Sequence, residues 1–77
     1  MTAKLLLELA RELGLPMGGM VGGKHVGYTT NRAAAEELYR NGATVASLPA
    51  AGAPNGEGFD VSFRRGSVAA PRTGPAA

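Results

Sequence analysis

The chain contains no cysteine and no tryptophan, and its 77 residues include one histidine, two phenylalanines and two tyrosines. Without cysteine it can form neither a disulfide nor a thiolate metal site. One histidine and six scattered carboxylates do not make a zinc cage, so no metal or other cofactor is expected. No run approaches the ~20 apolar residues of a membrane span. The opening "MTAKLLLELARELG" does not read as a secretory signal, because Glu8 interrupts its apolar run and no small-residue cleavage site follows. The expected location is therefore the cytoplasm, or a virion if the chain comes from a phage. Charge of one sign is also scarce: eight Lys and Arg against six Asp and Glu leave +2, a mixed balance that is weak support for a polyanionic partner.

What is present fits one small domain. Hydrophobic residues make up 44% of the chain, but fourteen of them are alanine and only twenty are larger. A chain of this size buries only about 60% of its unfolded surface, and domains this small usually add a disulfide, a metal or a partner. With the first two excluded, association supplies the missing stability, either with a second copy or within a larger assembly. Arginine outnumbers lysine six to two beside abundant Ala, Gly and Pro. These residues have GC-rich codons, which points to a high-GC bacterium or its phage.

Two helices are legible. In "AKLLLELAREL" (3–13), Leu5, Leu9 and Leu13 recur at four-residue spacing with Leu6 beside them, which predicts one apolar stripe. Thr2 can cap the start, and Gly14, Leu15 and Pro16 end the helix. Leu7 falls off the stripe. In "NRAAAEELYRN" (31–41), Thr30 or Asn31 can cap, Glu36 and Arg40 stand four apart, and Asn41-Gly42 ends the helix. Its buried face is expected to be Ala34, Ala35, Leu38 and Tyr39.

Strands are expected at "ATVASL" (43–48) and "FDVSFRR" (59–65), where Phe59, Val61 and Phe63 alternate with Asp60, Ser62 and Arg64. The Pro- and Gly-rich stretch between them holds Asn55-Gly56, a turn pair, so the two strands form an antiparallel hairpin. "HVGYTT" (25–30) is a third candidate, with Val26 and Tyr28 on one face. The expected fold is α+β: two helices packed on one face of a small two- or three-stranded sheet in the order α-β-α-β-β, with a Gly-rich loop and an extended C-terminal tail. Residues 1–65 form the domain and 66–77 the tail, in which Pro71, Gly74 and Pro75 break any regular structure.

"GGMVGGKH" (18–25) carries the glycine and lysine spacing of a phosphate loop, but His25 stands where Ser or Thr would bind magnesium. The stretch also follows a helix and leads into a strand, the reverse of the required context. Its glycines serve the backbone, while Met17, Met20 and Val21 are adaptable apolar groups that either pack over the alanine-rich helix or order against a partner. Together with Leu7 they are the candidate protein-contact residues. His25 with Asp60 and Ser47 or Ser62 lacks the spacing of a hydrolytic triad, and no enzymatic activity is expected. Arg64, Arg65 and Arg72 form a local basic cluster that Lys24 and Arg32 can join, either as phosphate contacts or as charges guarding a sheet edge. The helix-plus-hairpin order echoes winged-helix DNA readers, although the glycine loop takes the place of their second helix. The sequence thus points to a non-enzymatic interaction or assembly module, such as a phage structural component or a small phage-encoded inhibitor of a host protein. It would be a homo-oligomer or a complex subunit. The alternative is a small basic nucleic-acid-binding regulator.

Overall fold

The computed structural model describes residues 2–66, in the order α1 (Ala3–Glu12), β1 (Gly19–Val21), β2 (Lys24–Thr29), α2 (Arg32–Arg40), β3 (Thr44–Pro49) and β4 (Glu57–Arg64). The architecture is the expected α+β, two helices against one sheet, with one strand more than the sequence reading gave. The order is α-β-β-α-β-β, and the sheet runs β1-β2-β4-β3 with every pair antiparallel. Beyond Gly66, the expected tail lies outside the described residues.

Both helices are built the same way. Thr2 Oγ1 accepts the Leu5 amide at 3.3 Å and Asn31 Oδ1 accepts the Ala34 amide at 3.2 Å, so each N-terminus has its side-chain cap. At the other end, Leu15 N donates to Ala10 O and Gly14 N to Arg11 O, while Ala43 N donates to Leu38 O and Gly42 N to Tyr39 O. Those are the paired bonds of a Schellman motif, with Gly14 and Gly42 at positive φ and the following Leu15 and Ala43 buried. Each helix thus ends by turning its next side chain into the core.

The buried stripe of α1 differs from the expected one. Ala3, Leu6 and Ala10 are buried, with Leu7, Leu9 and Leu13 packed partly against the core, and Leu5 is the leucine turned outward at 49% exposure. Alanine takes the buried places that leucine spacing alone does not give it: Ala3 and Ala10 lie in the same buried cluster as Ala35 and Leu38 of α2, which α1 contacts. Beneath them, β4 supplies Phe59, Val61 and Phe63, and Leu15 and Met17 close the core from the α1–β1 connection. Gly27 of β2 makes room for that closure, since a Cβ there would strike the Met17 sulfur and Leu15.

The fourth strand comes from the glycine stretch. Gly22 and Gly23, with φ of 58° and 77°, form the two-residue turn between β1 and β2. Positive φ at both central positions is what the tight hairpin turn matching strand twist requires. The question raised by "GGMVGGKH" is thereby answered for the backbone: these glycines make a hairpin.

Candidate interaction surface

Strand register assigns each side chain to a face. His25, Gly27, Thr29, Phe59, Val61 and Phe63 turn toward the helices, so Val21, Lys24, Val26, Tyr28, Asp60, Ser62 and Arg64 lie on the opposite face with Thr44, Ala46 and Leu48. No described element covers that second face. It carries three of the large exposed apolar side chains, Val21 at 66%, Tyr28 at 50% and Leu48 at 41%. Tyr28 does not stand away from the sheet, because its hydroxyl and ring lie over Gly58 where a Cβ would collide with them. The glycine holds the phenol down, leaving a flat aromatic surface at the centre of the face.

The register also orders the charges on this face. Tyr28, Asp60 and Ala46 form one row, and Val26, Ser62 and Thr44 the next. Lys24 and Arg64 stand opposite each other in the third, with Val21 beside Lys24. Like charges directly opposed across a strand pair repel. Among the described residues, neither Lys24 nor Asp60 has an ion-pair partner. The face is therefore apolar in patches and carries a carboxylate row and a cationic row on either side of the Val26–Ser62–Thr44 row.

The residues singled out in the sequence divide into distinct places. Leu7, Met17 and Met20 come together with Arg11, Pro16 and His25 around a groove of about 290 Å³ between α1 and β1. Met17, for which packing inward and ordering against a partner were both open, packs inward from the α1–β1 connection with 3% exposure. Leu7 is half-buried against the core, Met20 is exposed, and Val21 points to the open face away from this groove. Strand formation explains the split, because successive residues of β1 alternate sides.

The basic residues divide as well. Lys24, Arg64 and Arg65 gather at one end of the sheet, where Arg65, His25 and Lys4 line a second cavity beside the start of α1. Arg32 sits at the other end of β4, where its Nε donates to Glu36 Oε1 at 3.0 Å and its Nη1 lies 3.9 Å from Glu57 Oε2. The hydrogen bond to Glu36, then the charges of Glu36 and Glu57, hold the Arg32 guanidinium above its ordinary pKa. Arg32 is thus separated from Arg64 by the length of β4 and is engaged by carboxylates. Arg72 lies outside the described residues. His25 rests against Phe63, ring centroids 5.3 Å apart, on the helix side of the sheet, whereas Asp60 and Ser62 face the other way. Among the described residues no three of His, Cys, Asp and Glu converge as metal ligands, and no helix is long and apolar enough to cross a membrane.

Sequence reasoning did not single out Tyr28, Leu48 or Asp60, three residues of the open face, as contact groups. Their signal was present in the period-two alternation of their strands, which puts Leu48, Asp60 and Tyr28 on the side opposite Phe59 and Val61. Comparisons with protein-family models, with curated proteins and with solved structures return no match to this chain.

Proposed function

We infer that this protein is a non-enzymatic assembly module that associates with a second copy of itself through the open face of its sheet. The observation that carries this reading is the uncovered face itself, with Val21, Tyr28 and Leu48 exposed beside one carboxylate row and one cationic row. A two-fold axis running across the strands at the Val26–Ser62–Thr44 row lays Asp60 of one copy on Arg64 of the other, and Tyr28 on Lys24. The Lys24–Arg64 row then meets the row of Tyr28 and Asp60, so that one cation faces a carboxylate and the other an aromatic ring. Sheets packed face to face in this way bury both inner faces about 10 Å apart. The thin core supports the same reading. Among the described residues, its buried apolar members include only seven larger than alanine, and those fully buried are Leu6, Leu38 and Val61.

One observation favours a second reading, nucleic-acid binding. Tyr28 is held flat on Gly58 in the face that carries Lys24 and Arg64, and single-stranded bases stack on such rings beside cations. Asp60, directly beside Tyr28, opposes a phosphate there, and this sets the reading second.

Light scattering with and without a single-stranded oligonucleotide, at about 50 mM and about 500 mM salt, separates the two. A mass near twice the 7.8 kDa of one chain without nucleic acid is the expected result. Growth only with the oligonucleotide, lost at the higher salt, supports the second reading. One-chain mass under every condition contradicts both.

A further inference from the structure

A separate surface lies on the helix side of the sheet, along its β3 edge. Among the described residues, strand β3 pairs with β4 on one side only, so its other side presents backbone donors and acceptors that no described strand takes up. Sheet edges are ordinarily guarded by charge, by an interior proline, by a bulge or by brevity. The opposite edge, β1, is three residues long and closes on two glycines. Strand β3 has six residues, "TVASLP", with no charged side chain, and its proline comes only at the end. It is an open edge.

The edge is accompanied by a cleft. Between α2 and β3 lies a cavity of about 260 Å³ whose floor is Ala35, Val45 and Phe59. Ser47 lies at its β3 side, and Glu36 and Glu57 stand at the rim with Arg32. That volume is below the roughly 300–1,000 Å³ of small-molecule sites and suits a side chain better than a cofactor. Val45 and Ser47 alternate with Thr44 and Ala46, so they face the helix side. A strand added along β3 would send every second side chain into the same cleft. The rim charges do not balance. Among the described residues, Glu36 has Arg32 at 3.0 Å and Arg40 at 4.0 Å, whereas Glu57 has only the more distant approach of Arg32 at 3.9 Å. Glu57 pairs with Pro49, two positions beyond Ser47, which is the spacing of successive same-face residues on an added strand.

We propose that the β3 edge and this cleft bind an extended peptide of a protein partner as a fifth strand, with one aliphatic side chain seated on Ala35, Val45 and Phe59 and a lysine or arginine two residues away at Glu57. Backbone bonds to β3 supply affinity, and the cleft with its carboxylate supplies selection. A second copy of β3 is the poorer occupant, because it brings no cation to Glu57.

The test is fluorescence anisotropy of the full chain with a labelled peptide, Ser-Lys-Thr-Val-Thr-Lys-Ser, which offers the same face in either direction. Controls replace its valine by aspartate or both lysines by glutamate. The expected result is saturable binding that either replacement weakens about tenfold or more. Ser47→Lys, an exposed change at the mouth of the cleft, is expected to weaken binding to a similar extent, and Glu57→Lys to transfer preference to the glutamate peptide. Thermal melts confirm that both variants are folded. Equal binding of all three peptides overturns the proposal, as does no saturable binding by the folded protein. A dimer that Ser47→Lys dissociates also overturns it, by making β3 a self-pairing edge. Dimerisation through the open face leaves this result untouched, since Ser47 and Glu57 lie on the other side of the sheet.

Discussion

At position 6 a leucine has no exposed surface, while its neighbour Leu5 keeps 49% of its own. Removing three buried carbons at Leu6 leaves a cavity among Ala10, Leu38 and the β4 aromatics, and such truncations cost about 2–5 kcal/mol. Leu6→Ala is therefore expected to lower the urea midpoint sharply, and Leu5→Ala to change stability by no more than about 0.5 kcal/mol. Equal losses at the two positions would contradict the observed stripe. Leucine spacing alone placed Leu5 in the core because it gave alanine no weight. Ala3 and Ala10 are the residues buried beside Leu6, in one cluster with Ala35 and Leu38 of α2. Other single residues were readable for direct physical reasons. Asn31 and Thr2 carry the short polar side chains that cap helices, and Gly14 and Gly42 take the left-handed positions that end them.

At the scale of elements, the helices and the β3–β4 hairpin follow from local rules, and β1 does not. Three residues, Gly19 to Val21, are too few to show alternation, and a glycine-rich stretch reads as a loop by composition. The informative signal was the two-residue Gly22-Gly23 insert between apolar segments, a recognised hairpin turn pair. This makes a sharp prediction. Asparagine is favoured at the first central position of such a turn, so Gly22→Asn should leave the melting temperature nearly unchanged. A β-branched residue is strained at φ of 58°, so Gly22→Val should cost on the order of 1–3 kcal/mol. Equal tolerance of both, measured by thermal melts, would contradict the turn. Placement of β2 against β4 was likewise beyond local reasoning. It is a long-range pairing, and nothing in "HVGYTT" states which strand it will join.

At the scale of the whole fold, the helices cover one face of the sheet, and no described element covers the other. A one-sided three- or four-stranded sheet can be stable alone, but among the described residues alanine takes five of this core's twelve buried apolar positions. The candidate contact residues read from sequence were chosen for being apolar and loop-borne, and folding sorted them differently. Met17 entered the core, Leu7 half-entered it, and Val21 turned to the bare face with Tyr28 and Leu48. The open face was legible only as alternation within each strand, and assembling it into one surface required the register. That register gives the proposed self-association its most direct measurement, sedimentation equilibrium of D60K and R64E, alone and in equimolar mixture beside the unaltered chain. The account predicts a dimer for the unaltered chain, weakened association of each variant alone because like charges then face each other, and a dimer restored on mixing. An unaltered chain that stays at 7.8 kDa at every concentration would contradict it.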